Sequence, residues 1–191
     1  MSRAAPEKAV EQAGATEPGA PVHLAIFCAD AEATAALGAR LGRLLAGGDC
    51  VALSGSLGAG KTTLVQGIVA GLGSRDRVTS PTFTLVNEYS RAPGASGAAL
   101  TIYHVDLYRL AEGTGPAASS MALLASTLGL DDVIGAPDAL LLVEWAELDP
   151  ALLPHDRLQV TLSVPETGGR LAEFAAAPTV ARAQALVTAL R

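Results

Sequence analysis

The sequence predicts an α/β protein, a three-layer sandwich in which a mixed sheet lies between layers of helices. Short aliphatic segments alternate with segments of helical periodicity along the chain. Leu140–Val143 is a continuous aliphatic run, typical of a strand that is covered on both faces. Two strand-like segments, 82–89 and 100–106, are joined by a connection over 91–98 that contains Pro and two glycines. This spacing predicts a hairpin and therefore an antiparallel part of the sheet.

The remaining elements follow the same alternation. Further strands are expected at Val22–Cys28, Cys50–Leu53, Leu158–Val164 and Arg170–Ala175, and further helices at about 31–45, 61–72 and 121–128 and from about residue 179. Asp30 is expected to cap the first of these helices, because its carboxylate can accept from the unpaired N–H groups of the first turn. Residues 112–120 are polar and contain Gly and Pro, which predicts a loop.

Length and composition predict one domain and disfavour several classes of function. The 191 residues are predicted to hold a single domain over 21–191, after a disordered extension over 1–20 that is rich in Ala, Glu, Pro and Gly. The formal net charge is −6, from 13 Lys and Arg against 19 Asp and Glu, which disfavours a strongly basic nucleic-acid reader. Aromatic residues make up only 4%, so a platform that stacks bases is disfavoured as well.

Cysteine content and hydropathy predict a cytoplasmic protein. Cys28 and Cys50 are too few for a disulfide framework or an all-cysteine zinc site, and are expected as buried thiols in a reducing compartment. No apolar run approaches the length of a membrane span, and no secretory signal is visible before Val22. No association with a membrane is therefore expected.

Residues 55–62, Gly-Ser-Leu-Gly-Ala-Gly-Lys-Thr, match the Walker A pattern at every fixed position, with a predicted strand before and a helix after. The glycines let backbone N–H groups turn around a phosphate, and the helix N-terminus adds its dipole. Lys61, the single lysine of the predicted domain, is expected to reach the outer phosphates, and Thr62 to place its hydroxyl on Mg²⁺. The fold is therefore expected to be of the P-loop NTPase kind.

Two acidic residues close aliphatic strands and are candidates to complete this site. Glu144 follows Leu140–Val143, and Asp106 closes the predicted strand over 100–106. Mg²⁺ prefers carboxylate and water oxygens, and P-loop enzymes take a carboxylate from the end of a neighbouring strand. Each acid alone is as consistent with a solvated strand end as with a ligand. Together, beside a phosphate loop, they favour a functional role without deciding which one contacts the metal.

Three further features have both a functional and a plain structural interpretation. Thr79–Thr82 could sense the γ-phosphate or its Mg²⁺ as switch loops do, but Ser and Pro also form ordinary turns, and the residues alone favour a turn. His104 shares a predicted strand face with Asp106, yet a satisfied histidine on a half-buried strand is favoured over a catalytic pair. Trp145, next to Glu144, is expected to wall the site, contact a partner or pack in the core.

Four short blocks, taken in order, make the chain resemble the bacterial TsaE family. They are LGAGKTT at 57–63, SPTFT at 80–84 with Tyr89, HVDLYRL at 104–110 and LVEW at 142–145. The Walker A block alone is shared by many enzymes, whereas the set of four is specific to this family. The likeness extends from about residue 22 to the C-terminus.

The resemblance implies a P-loop ATPase of tRNA threonylcarbamoyladenosine biosynthesis. Members of this family bind ATP and hydrolyse it slowly, together with two partner proteins: a metal-dependent transferase and its paralogous partner. The transferase attaches a threonylcarbamoyl group to the adenosine beside the anticodon in certain tRNAs. By resemblance, this chain would hydrolyse ATP weakly without its partners, perform no transfer itself and meet tRNA only indirectly.

The resemblance also assigns site residues. The family's nucleotide-binding residues fall on Gly58, Ala59, Gly60, Lys61, Thr62 and Thr63, its Mg²⁺ ligands on Thr62 and Glu144, its switch-like threonine on Thr82 and its second strand-end acid on Asp106. Glu144, Asp106 and Thr82 are thereby the catalytic or switch candidates. The chain departs from the family at Ser56, where an acid is usual, and at 112–120, where the usual acidic helix gives way to a longer Gly-, Pro- and Ser-bearing segment.

Two other functions fit a phosphate loop and differ in testable features. A small-molecule kinase is the main alternative, but such kinases usually carry an arginine-bearing lid, and the candidate lid at 112–120 contains no arginine. A GTPase-like interaction module would normally show an Asn/Thr-Lys-x-Asp motif. The only lysine of the predicted domain, Lys61, is already in the phosphate loop, which excludes guanine recognition by that route.

Overall fold

The computed structural model describes residues 21–82, 84–93, 98–108, 129–177 and 179–191. The extension predicted over 1–20, the loop predicted over 112–120 and the helix predicted over 121–128 lie outside these residues. None of the helices in the described ranges is long and apolar enough to cross a membrane.

The described elements alternate between strands and helices as predicted. The strands are β1 (Val22–Cys28), β2 (Cys50–Ser54), β3 (Val86–Arg91), β4 (Leu100–Asp106), β5 (Ala139–Glu144), β6 (Leu158–Ser163) and β7 (Arg170–Ala176), and the helices are α1 (Ala31–Gly42), α2 (Lys61–Gly71), α3 (Leu130–Val133) and α4 (Ala181–Ala189). Two short 3₁₀ turns, Ala146–Leu148 and Pro150–Leu152, follow β5.

The strands form one seven-stranded mixed sheet in the order β1-β7-β6-β2-β5-β4-β3. The four central strands β6, β2, β5 and β4 are parallel, whereas β3 is antiparallel to β4, and β7 and β1 continue the other side in antiparallel pairs. The α/β fold class with a mixed sheet, and the antiparallel pair before and after 91–98, are confirmed. Because β2, β4 and β5 are parallel, their carboxyl ends meet at one edge of the sheet, beside the start of α2.

Helices α1, α2 and α4 cover one face of the sheet and enclose the larger apolar core. The α1–α2 contact is unusually close at four glycines, Gly38 and Gly42 of α1 and Gly67 and Gly71 of α2. A Cβ on any of them would collide with a backbone carbonyl of the other helix. On the opposite face, a smaller cluster around Leu141 and Val143 is covered by residues that include Ile134 and those after β5. The close α1 contact fixes the position of α2, and α2 begins at the phosphate loop.

Three sequence expectations differ from the structure at element ends. The strand predicted over 82–89 begins only at Val86, because the N–H groups of Thr84 and Leu85 both donate to the Pro81 carbonyl and form a turn. Leu85 itself has a φ of 68°, outside the extended region of a strand. The first helix ends at Gly42 rather than near 45, and the last begins at Ala181 rather than near 179.

Two local expectations are confirmed. Asp30 caps α1, since its carboxylate accepts from the Ala33 N–H at 2.8 Å. Cys28 and Cys50 are free and buried. Burial raises the pKa of the Cys50 thiol to about 12. Both thiols therefore pack as small apolar groups, and Cys50 remains protonated at neutral pH.

Candidate nucleotide and metal site

The phosphate loop connects the end of β2 to the start of α2. Gly58 and Gly60 adopt φ angles of 76° and 104°, which favour glycine over any residue with a Cβ. A Cβ on Gly58 would meet nothing within 4 Å, so the backbone angle rather than crowding calls for glycine there. Gly60 is the N-cap of α2, and no side chain caps the first turn of this helix. An uncapped helix N-terminus next to a turned glycine backbone is suited to bind an anion.

Lys61 is folded back onto its own loop. Its side chain is only 5% exposed, and the Nζ atom donates to the Gly55 carbonyl at 2.6 Å and to the Ser56 carbonyl at 3.0 Å. The same Nζ lies 3.6 Å from the centroid of the Trp145 ring, in a cation–π contact. Trp145 in turn packs against Tyr108, with ring centroids 4.8 Å apart. The indole therefore walls the site and also packs against the smaller apolar cluster.

Burial and nearby carboxylates act on Lys61 in opposite directions. Burial lowers the pKa of the Lys61 amine, whereas the negative charges of Glu144, Glu147 and Asp106 raise it. The ammonium nevertheless forms no ion pair within 4.0 Å among the described residues. Its partners in the structure are carbonyl oxygens and an aromatic ring.

Glu144 and Asp106 lie side by side at the carboxyl ends of β5 and β4, where the parallel register pairs them. Both are buried, with 3% and 1% of their surface exposed. The Thr62 hydroxyl donates to the two carboxylate oxygens of Glu144 at 2.8 and 3.1 Å. The structure therefore brings together the two residues expected to hold Mg²⁺, although 82 positions separate them in the chain.

Asp106 has its own hydroxyl partner. Its Oδ2 accepts from the Thr82 hydroxyl at 2.6 Å, and its Oδ1 accepts from the Tyr108 N–H at 2.9 Å. The Ser80 and Thr82 hydroxyls are also 2.7 Å apart. Thr79–Pro81 have no regular structure, and Thr82 lies in the turn that the Thr84 and Leu85 N–H groups close on the Pro81 carbonyl. Thr82 also donates its hydroxyl to the second acid. Each acid of the pair thus contacts one threonine.

His104 is arranged differently from the expectation. It is fully buried rather than half-buried, and its Nε2 lies 2.8 Å from Glu144 Oε1, not beside Asp106. The other ring nitrogen, Nδ1, has no hydrogen-bond partner among the described residues. The histidine pairs across to β5 because the parallel register places it next to that strand.

Two residues that sequence reasoning missed contact the phosphate loop. Arg170, the first residue of β7, donates from Nη2 to the Gly58 carbonyl at 3.1 Å. Glu147, in the turn after β5, accepts from the Gly55 N–H at 3.2 Å. The only local signal for Arg170 is the Gly168-Gly169 pair before it, which marks a hairpin turn. Nothing local indicates that this hairpin meets a loop 112 positions earlier.

The phosphate loop, the two acids with their threonines, and Trp145 surround a cleft of about 210 Å³, which Arg170, Glu147 and His104 do not line. Its lining consists of Leu57, Gly58, Gly60, Lys61, Thr62, Thr63, Ser80, Thr82, Asp106, Glu144 and Trp145. Ala59, the remaining residue assigned to nucleotide binding, is buried beneath the loop, and its N–H donates to the Ser56 carbonyl at 3.1 Å.

Comparison with known proteins places the chain in a family. A family model described as "Threonylcarbamoyl adenosine biosynthesis protein TsaE" matches residues 28–171. The chain belongs to the TsaE family. The matched range contains every residue of the cleft, so the resemblance drawn from four sequence blocks is confirmed.

TsaE relatives from distant bacteria support this assignment. The chain is 39% identical over 149 residues to the tRNA threonylcarbamoyladenosine biosynthesis protein TsaE of a Nostoc species, covering 78% of this chain and 83% of the relative. It is 41% identical over 126 residues to the protein of the same name from Streptomyces coelicolor, covering 66% and 76%. The crystal structure of YdiB from Bacillus subtilis superposes with a TM-score of 0.65 at 30% identity, covering 90% and 95% of the two chains.

Proposed function

We propose that this TsaE protein binds ATP together with Mg²⁺ and hydrolyses it slowly as the ATPase component of threonylcarbamoyladenosine formation in tRNA. The observation that carries the proposal is the contact between the Thr62 hydroxyl and the Glu144 carboxylate at the start of α2. A hydroxyl and a carboxylate held 2.8 Å apart beside an uncapped helix N-terminus form the donor set that P-loop enzymes offer to Mg²⁺.

The charges of the cleft explain why the nucleotide would come with a divalent cation. Glu144, Asp106 and Glu147 all act on Lys61, so three carboxylates surround one ammonium. A polyphosphate alone would be repelled by these carboxylates. When bound, Mg²⁺ would supply the positive charge that joins the phosphate oxygens to Glu144 and Thr62.

Lys61 would then exchange partners. Its Nζ now donates to Gly55 and Ser56 carbonyls, which are weaker partners than phosphate oxygens. The loop N–H groups and the α2 N-terminus would bind the phosphates on the other side. Thr82 and Asp106, which are joined by a 2.6 Å hydrogen bond, would respond to the outermost phosphate.

The tRNA pathway and the partners come from the family. The relatives are named for tRNA threonylcarbamoyladenosine biosynthesis, and we extend this role to the present chain. As family members do, it would act with the transferase and its paralogous partner, and contact tRNA indirectly. Two features would keep hydrolysis slow in the isolated protein. Lys61 is bonded to carbonyls of its own loop, and Ser56 occupies the position where the family usually has an acid.

Calorimetric titration with Mg·ATP tests the binding half of the proposal. Thr62→Val keeps the side-chain shape and removes the hydroxyl, so we expect at least about a tenfold loss of Mg·ATP affinity. Thr188→Val is the matched control, because Thr188 is also a helical threonine whose hydroxyl makes one hydrogen bond, to Gln184 in α4. Equal affinity in wild type and Thr62→Val would contradict the metal assignment.

Phosphate release tests the catalytic half. We expect slow ATP hydrolysis by the protein alone and faster hydrolysis after addition of the transferase, its paralogous partner and substrate tRNA. Rapid turnover that does not respond to the partners would instead favour a stand-alone ATPase. Transfer of the γ-phosphoryl group to a metabolite would favour a small-molecule kinase.

A further inference from the structure

Arg170 reaches the phosphate loop from the far end of the chain. The turn before it contains Gly168 and Gly169, with φ angles of 83° and 73°, which reverse the chain so that β7 begins beside the loop. The guanidinium donates from Nη1 to the Gly169 carbonyl at 2.7 Å and from Nη2 to the Gly58 carbonyl at 3.1 Å. A Cβ on Gly60 would lie 3.7 Å from Arg170 Nε, so the Arg170 side chain lies against both Gly58 and Gly60 of the phosphate loop.

The charge of Arg170 is not neutralised by the described part of the protein. No carboxylate lies within 4.0 Å of its guanidinium among the described residues, and its two hydrogen-bond partners are the carbonyl oxygens of Gly58 and Gly169. Arg182 is the one described arginine that forms an ion pair, with Asp49 at 2.7 Å. An unneutralised guanidinium beside a phosphate loop is a cation that a polyphosphate can use.

The hydrogen bond from Arg170 to the Gly58 carbonyl also constrains the backbone conformation of the phosphate loop. In a trans peptide, the carbonyl of one residue and the N–H of the next point to opposite sides. With the Gly58 carbonyl held towards Arg170, the Ala59 N–H points the other way, where it donates to the Ser56 carbonyl at 3.1 Å and closes the turn. The arginine thus fixes one peptide plane of the loop from outside.

We propose that Arg170 is a second cation of the phosphate site and a positioning residue, which holds the Gly58 peptide in its turned orientation and adds uncompensated positive charge beside the bound polyphosphate. This inference rests on the proposed nucleotide function and adds a residue to it. From the sequence, Lys61 is expected as the cation at the phosphates, and the structure adds Arg170 to it.

Two substitutions of Arg170 can separate the effect of its positive charge from the effect of its hydrogen-bonding geometry. A lysine at position 170 would keep the positive charge but lack the planar fork that donates to two carbonyls at once. A glutamine would lose the charge and most of the reach. We therefore expect Arg170→Lys to retain part of the polyphosphate affinity and Arg170→Gln to retain less.

The test uses the whole protein and two probes, Mg·ATP and inorganic tripolyphosphate with Mg²⁺, in calorimetric titrations. Tripolyphosphate has no base or ribose, so it reports on the phosphate site alone. The matched control is Arg157→Gln, because Arg157 also donates to two backbone carbonyls, those of Leu153 and Pro154, but precedes β6 at the opposite edge of the sheet.

We expect Arg170→Gln to weaken both probes about tenfold, Arg170→Lys to weaken them less, and Arg157→Gln to leave both within twofold of wild type. The unfolding midpoint without ligand should be similar in Arg170→Lys and wild type, which separates a site effect from lost folding. If Arg170→Gln does not fold, the Arg170→Lys titration tests the inference instead. Unchanged affinity of Arg170→Lys for both probes would show that the two hydrogen bonds of the guanidinium do not position the loop.

Two failures remain distinguishable. Wild-type binding of both probes with unchanged affinity in Arg170→Gln would overturn this inference and leave the proposed function standing. No binding of either probe by wild type would overturn both. An equal loss in Arg170→Gln and Arg157→Gln would show a general effect of arginine removal and would also overturn the inference.

Discussion

The two edges of the parallel strands carry similar charged residues in different arrangements. At the edge where β2 begins, Arg182 donates to both carboxylate oxygens of Asp49, at 2.9 and 2.7 Å. At the edge where β2 ends, Lys61 and Arg170 donate to carbonyls of the phosphate loop. The acids at that edge, Glu144 and Asp106, accept from threonine hydroxyls.

This difference separates charges that neutralise each other within the fold from charges whose partners are uncharged groups. The Arg182–Asp49 pair is bidentate and self-sufficient, and its hydrogen bonds raise the pKa of Arg182. At the P-loop edge, neither Lys61 nor Arg170 lies within 4.0 Å of a carboxylate among the described residues. The Glu144 carboxylate there is bonded to Thr62 and His104. A bound polyphosphate and a divalent cation would satisfy both signs of charge at once.

The largest effect on Mg·ATP affinity is expected from substitution of Lys61 at the P-loop edge. Lys61→Met removes the ammonium while the glycine backbone survives, so we expect about a 100-fold loss of Mg·ATP affinity in calorimetric titration, from two or more lost charged hydrogen bonds. Arg182→Gln, the same kind of change at the other edge, should leave this affinity unchanged. Wild-type affinity in Lys61→Met would refute a phosphate-binding role for the loop.

The next effect separates the two acids of the same edge. Glu144→Gln is expected to weaken Mg²⁺-dependent ATP binding about tenfold, because a metal ligand loses its charge. Asp106→Asn should cost only about threefold, since Asp106 contacts Thr82 rather than Thr62. Both substitutions keep the side-chain size, and Mg²⁺ titrations at fixed ATP measure the ranking. The reverse ranking would mean that the metal belongs to β4.

A spectroscopic effect of intermediate size follows from the cation–π contact. The chain has a single tryptophan, Trp145, and its ring lies over the Lys61 Nζ. If Lys61 leaves for the phosphates, the indole environment changes, and the fluorescence emission should shift in intensity on addition of Mg·ATP. The Lys61→Met variant should start from a different emission and respond weakly. An identical response in both proteins would show that the contact is unrelated to the nucleotide.

Substitution of Arg182 at the opposite edge should change the stability of the protein rather than its affinity for Mg·ATP. Arg182→Gln removes a partly exposed bidentate ion pair, for which we expect a loss of about 1 kcal/mol in the free energy of unfolding by urea. The Mg·ATP affinity should not change. A drop in affinity without a drop in stability would erase the distinction between the two edges.

The smallest effect concerns tRNA. Arg75 and Arg77 are exposed, and Asp76 between them bonds the Ser90 N–H at 2.7 Å near the end of β3 that lies away from the P-loop edge. With a net charge of −6, we expect weak or undetectable tRNA binding by the protein alone at physiological salt, measured by fluorescence anisotropy. Sub-micromolar affinity that collapses when both arginines become alanine would reveal an RNA-binding surface here.

Local patterns predicted much of the fold and the centre of the site. The Walker A spacing predicted the loop, and the continuous aliphatic run predicted the buried strand that ends at Glu144. The strand over 82–89 was wrong at its start, because a turn onto the Pro81 carbonyl competes with the extended chain. Residue patterns could not reveal this turn, because threonine favours strands and the turn depends on backbone hydrogen bonds to the Pro81 carbonyl.

Features that depend on neighbouring residues alone could be predicted from the sequence. These are the left-handed glycines of the loop, the cap of α1 and the acids that close two strands. The contacts between distant residues could not be predicted: Thr62 meets Glu144 across 82 positions, His104 meets Glu144 across 40, and Arg170 meets Gly58 across 112. Strand order and register set these contacts, and they depend on how all the strands and helices pack together rather than on any single segment.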